Sequence, residues 1–140
     1  MTIDDPWDPT DLSVLDRYLA RTYPDSYAGL ARTDDGSGVH IYRTTPSALD
    51  DEVRGHLRAS VRFFPAEHTR SALERVAARV AADREYWRAS GVRIAAIMVP
   101  HDGTRVEILS PHATAARAAL LTRYGADLIT VTLDDIVPLS

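Results

Sequence analysis

Asp34-Asp35-Gly36-Ser37, between residues 27–33 and 39–44, and His101-Asp102-Gly103-Thr104, between residues 92–99 and 105–110, decide how this chain folds. Asp-Gly supplies the positive-φ positions of a tight turn, and apolar residues alternate in Val39/Ile41 and Val106/Ile108, so each stretch predicts a β-hairpin. The two Asp-Gly pairs stand 67 positions apart, Asp35 to Asp102. At that offset, without gaps, Ala28 falls on Ala95, Gly36 on Gly103, Val39 on Val106, Ile41 on Ile108 and Ala48 on Ala115.

Working outward, matching helical patterns follow both hairpins. Thr45-Pro46-Ser47 opens one carrying Leu49, Val53 and Leu57, and Ser110-Pro111-His112 opens another carrying Ala116, Ala119, Leu120 and Tyr124, stopped by Gly125. Strands at 61–64 and 128–133 close the two units in the same register, with Ile129, Val131 and Leu133 on the buried face. Between the units, Leu73, Val76, Ala77, Val80 and Trp87 mark one face of a single long helix over 66–90, capped by Gly91. Ser71-x-x-Glu74 has the form of a capping box, but Pro65 and the upstream period place the helix start earlier. The arginines on its other faces read as a solvated surface. At the N-terminus, Asp8 as cap and Pro9 at the first helical position predict a helix to about Arg21, burying Leu12, Leu15, Tyr18 and Leu19.

The expected fold is therefore α+β: duplicated ββαβ units with antiparallel sheet pairing, helices covering one face, joined by a long helix. One domain of 140 residues would comprise an acidic arm and helix (1–26), a first unit (27–64), the linking helix (65–91), a second unit (92–133) and an apolar tail (134–140).

Composition removes several chemistries. There is no cysteine, hence no thiolate catalysis, disulfide or cysteine-based zinc site, and all sixteen basic residues are arginine, hence no Schiff-base or P-loop lysine. A net charge of −4 argues against nucleic acid as partner, since phosphates call for a basic surface. Five aspartates at 4, 5, 8, 11 and 16 supply that charge; the remainder holds sixteen arginines against fifteen acids. No apolar run is long enough to span a bilayer, and the acidic start lacks a signal-peptide pattern, which predicts a cytoplasmic protein if Met1 is the native start.

No nucleophile elbow, phosphate loop, H-E-x-x-H or EF-hand occurs, so no catalytic residue, cofactor or metal is expected. The histidines at 40, 56, 68, 101 and 112 lack metal spacing, although His101 and His112 sit at element ends where they could approach each other. Asp34-Asp35 and Asp134-Asp135 read as turn and strand-end residues. The candidate contacts for a protein partner are Ile136, Val137, Pro138 and Leu139, an apolar tail beyond the last strand, with Tyr23 and Tyr27 beside the first strand. The tail also has a plainer reading, as a strap across its own domain.

Three stretches in order carry a resemblance: Tyr27-Ala28-Gly29-Leu30 with a hairpin into Val39-His40-Ile41-Tyr42; the helix holding Ser71-Ala72-Leu73-Glu74; and 92–99 with Asp102-Gly103-Thr104-Arg105-Val106-Glu107-Ile108, a helix and a closing strand. Over about residues 27–133 the chain resembles the propeptides of α-lytic-protease and streptogrisin-type serine proteases. The resemblance implies a small sheet packed on helices and a C-terminal segment that docks in a protease cleft, acting as folding catalyst and inhibitor. The functional expectation is a non-enzymatic protein-binding module, such as a propeptide-like inhibitor or folding chaperone. The alternatives are an immunity- or antitoxin-like protein neutralising a basic effector, or a small-molecule-binding protein with a pocket near His101, His112 and Tyr124. Oligomeric state is not legible.

Overall fold

The computed structural model describes residues 5–134. They form two compact units: one built from the chain up to Ala72 together with His101–Thr104, the other from Leu73–Pro100 and the chain from Arg105 on.

In the first unit, α1 (Leu12–Thr22) precedes β1 (Tyr27–Arg32), β2 (Gly38–Arg43), α2 (Ala48–His56) and β3 (Ser60–Pro65). β1 and β2 form the hairpin, antiparallel, with Gly36 at φ 76° in its turn. β3 then pairs with β2 in parallel, contrary to the antiparallel pairing expected within each unit, and the sheet order is β1-β2-β3. A parallel third strand follows from inserting a helix between β2 and β3, which returns the chain to its starting end. Val39 and Ile41 face inward onto Leu15 and Leu19 of α1 and Leu49 and Val53 of α2, so both helices cover the same sheet face. Ser47 caps α2 as its sequence suggests, its hydroxyl accepting from the Leu49 amide at 3.2 Å.

The second unit repeats the plan. β4 (Ala96–Met98) and β5 (Val106–Ser110) pair antiparallel, α5 (Ala113–Tyr124) crosses, and β6 (Ile129–Leu133) pairs with β5 in parallel. The hairpin registers coincide at the 67-residue offset, since Gly29 pairs with Tyr42 and Ala96 with Leu109. The closing strands do not keep it: Val39 pairs with Val61 but Val106 with Ile129, which is 68 positions beyond Val61. The loop from α5 to β6 is one residue longer than that from α2 to β3. In β6 the edge carbonyl of Val131 accepts from Arg117 Nη2 at 3.0 Å, a cover for an exposed strand edge.

Several expectations shift. Helix α1 is capped by Asp11, accepting from the Ser13 amide, while Asp8 accepts from the Thr10 amide three residues upstream. The long helix is two, α3 (Arg70–Ala82) and α4 (Arg84–Ala89). It starts late because the Ala66 amide donates to the Arg43 carbonyl and that of His68 to Gly103, both within the first unit; Thr69 is the cap, its hydroxyl accepting from Ala72. It breaks at Asp83, at φ −91° and ψ 6°, whose carboxylate is held by Tyr124 and Arg123. β4 is short because the backbone before it is occupied by side chains: the Arg93 amide donates to His112 Nδ1 and its carbonyl accepts from the Ser110 hydroxyl. Leu133, expected inside, is 50% exposed, paired with the last residue of β5. Among the described residues no helix is long and apolar enough to cross a membrane.

Candidate functional site

Helix α5 reads ATAARAALLTRY, and alanine on every side leaves its amphipathic signal weak. The structure resolves the ambiguity: Ala113, Ala116, Leu120 and Tyr124 point into the core of the second unit, while Ala115, Ala118, Ala119 and Thr122 lie on the exposed side. Ala119, expected in the core, is therefore a surface residue. Short side chains there leave room beside α4, where Trp87 is buried and Tyr86 is 52% exposed. The result is a groove of about 810 Å³ lined by Tyr86, Trp87, Ser90, Gly91, Val92, His112, Thr122, Arg123 and the α5 alanines Ala115, Ala116, Ala118 and Ala119.

A hydrogen-bonded chain holds its walls together. Trp87 Nε1 donates to the Tyr124 hydroxyl at 2.8 Å, which donates to Asp83 Oδ2 at 2.6 Å. Arg123 Nε reaches the same oxygen at 3.1 Å, and its guanidinium lies 4.2 Å from the Tyr86 ring centroid. The bonds from Tyr124 and Arg123 hold the Asp83 carboxyl below its ordinary range, while burial and the Asp83 bond push the Tyr124 hydroxyl up. His112 closes one end. Its Nδ1 accepts from the Arg93 amide at 3.1 Å, which leaves Nε2 carrying the proton in the neutral form. The Ser90 hydroxyl donates to the Tyr86 carbonyl rather than to a base. The groove thus offers apolar surface, an aromatic floor and a cation at its rim.

No protein-family model, curated protein or solved structure matches the chain.

The residues singled out from the sequence are dispersed. Tyr27 is fully buried, its hydroxyl donating to Asp16 and its ring 5.6 Å from the Arg70 guanidinium, so it is a core residue rather than a surface contact. Tyr23 is half-buried and donates to Glu52, which also accepts from Tyr18. The Glu52 bond drives the Tyr23 hydroxyl up to about 12. Ile136, Val137, Pro138 and Leu139 lie outside the described residues. His101 and His112 belong to different units: His101 packs edge-on to Tyr42, 5.4 Å between centroids, and His112 lines the groove. Asp35 serves its turn, accepting from the Ser37 amide and from Thr33 and Ser37 hydroxyls, which hold its carboxyl near 2. Among the described residues no group of three metal-ligating side chains comes together. The groove leaves one trace in the sequence: Ala115, Ala118, Ala119 and Thr122 recur at helical spacing beside the buried set.

Proposed function

We propose that this chain is a non-enzymatic protein-binding module, acting in the cytoplasm, whose docking surface is the groove between α4 and α5. The observation that carries the reading is an open, largely apolar groove of about 810 Å³ with a half-exposed tyrosine at its lip. Exposed apolar surface of that kind is costly to leave in water and marks interaction sites. The test is paired capture from lysate by the wild-type chain and by Ala119→Arg, which fills the groove from an exposed position. A partner retained by the first and lost by the second supports the reading; equal capture by both, or none by either, sinks it.

A small-molecule ligand is the second reading, favoured by the same volume, which falls within the range of ligand pockets. Native mass spectrometry would show it as a discrete added mass lost in Ala119→Arg. The narrower protease-propeptide reading rests on the sequence resemblance and on Ile136, Val137, Pro138 and Leu139. Under it, deleting residues 136–140 weakens inhibition of an α-lytic-type protease by about tenfold, about 1.4 kcal/mol. Unchanged inhibition, or none to begin with, removes it. An immunity-like role draws on the first unit, where thirteen acids face eight arginines in the sequence; it requires a basic partner and steep salt dependence.

A further inference from the structure

We infer that the segment taken up by the groove is at once apolar and acidic: a helix that sets a large apolar side chain between α4 and α5 and carries carboxylates toward Arg93. The inference rests on the groove being a protein-docking surface, and it names the class of segment that docks there.

Shape gives the helix. Ala115, Ala118, Ala119 and Thr122 stand at i, i+3, i+4 and i+7 on α5, all short and all exposed. A helix laid against that row can approach to the near end of the usual interaxial range, about 8 Å. The groove then has depth left over, and Trp87 floors it, so the partner must insert something bulky to exclude water.

Charge gives the acid. The chain carries a net −4, yet among the described residues no carboxylate lines the groove, whose ionisable members besides Tyr86 are His112 and Arg123, the latter paired with Asp83 just outside the lining. Past the end of α4, Val92 also borders a smaller depression of about 160 Å³, walled by Arg84, Arg88 and Arg93, with Glu85 its single acid among the described residues. Arg93 stands at the junction, its amide bonded to His112 of the groove. Arg88 pairs with Glu85 at 3.1 Å, but both side chains are more than three-quarters exposed, and such a pair is weak enough to exchange partners. An apolar segment flanked by cations would meet three arginines here, whereas a carboxylate leaving the groove past Val92 would be received by them.

The experiment uses the full chain and three fluorophore-labelled synthetic helical peptides. One presents leucine and phenylalanine with glutamate flanks, one the same apolar residues with lysine flanks, and one glutamate flanks with serine at the apolar positions. Fluorescence anisotropy is expected to show binding of the first alone, abolished by Ala119→Arg and weakened about tenfold by Arg93→Glu, which in turn gains the lysine-flanked peptide. Circular dichroism checks the fold of each variant, with Thr122→Arg as the second groove-filling change. If the lysine-flanked peptide binds as well as the first and Ala119→Arg blocks both, the groove docks proteins but the acidic inference is overturned. If no peptide binds, or binding ignores both groove-filling changes, the inference and the docking reading fall together. Self-association lost in Ala119→Arg, seen by sedimentation without any peptide, would instead make a second copy the occupant and overturn it.

Discussion

Removing Asp50 should destabilise the first unit by about 3–5 kcal/mol, because it strands a buried arginine. Arg43 on β2 and Asp50 on α2 form a two-pronged pair, Nε to Oδ1 at 3.1 Å and Nη2 to Oδ2 at 2.9 Å, with side chains only 11% and 7% exposed. In Asp50→Ala the guanidinium stays beneath α2 with its main counter-charge gone. The Phe63 ring, 5.3 Å from the Arg43 guanidinium carbon, offers partial compensation. Breaking a buried pair by removing one partner costs about 3–5 kcal/mol, and Asp50 adds a favourable charge in the first turn of α2, roughly 0.3–1 kcal/mol. Asp50→Asn, which keeps an acceptor, should lose less. Replacing both residues, Arg43→Met with Asp50→Leu, should recover most of the loss because no ion is then stranded. The assay is urea unfolding followed by Trp7 fluorescence in a Trp87→Phe background, which reports on the first unit. A loss below about 1 kcal/mol for Asp50→Ala, or a double replacement as damaging as the single, would refute the claim that the pair is desolvated.

Tyr124→Phe leaves the buried Trp87 indole N–H without an acceptor and should destabilise the second unit by about 1–3 kcal/mol, measured by denaturant midpoint. Gly29→Ala places a Cβ 2.1 Å from the His101 carbonyl oxygen and should cost at least about 1–3 kcal/mol, whereas Gly55→Ala in α2 meets nothing within 4 Å and should stabilise by about 0.4–1 kcal/mol; thermal melts of the pair decide. The Tyr23 hydroxyl is raised in the folded state to about 12 from 10.0, so its contribution is complete below pH 10 and disappears as pH climbs through 12. The Asp35 carboxyl is depressed to about 2 from 3.8, so its contribution is complete above 3.8 and is lost as pH falls through 2. Tyrosine absorbance titration and NMR titration of Asp35 should find those midpoints; ordinary values would contradict the hydrogen bonds assigned to them.

What the sequence reveals is local. Gly36 and Gly103, with Val39, Ile41, Val106 and Ile108 alternating beside them, announce both hairpins because turn chemistry and strand period act over a few residues. Ser47 and Gly125 mark helix ends for the same reason. The partners of Asp83 at the break are not local: its carboxylate is held by Tyr124 and Arg123, about forty residues on, and no window around position 83 contains them. The extra residue before β6 hides because Leu128 and Ile129 are both apolar, so either register satisfies the pattern. The groove hides in α5, where alanine is compatible with core and surface alike and Ala119 looks no different from Ala116.

The composition of the first unit has a consequence for synthesis. Its contiguous part ends at Ala72, but His101–Thr104 belongs to it as well, with the Gly103 carbonyl accepting from the His68 amide and the His101 backbone lying over Gly29. A ribosome that has released only the first seventy-odd residues has therefore released an unfinished unit, with Ala28 and Gly29 still uncovered. Its final closure waits on the hairpin turn near position 102, so the nascent chain stays open to chaperones and proteases for that interval.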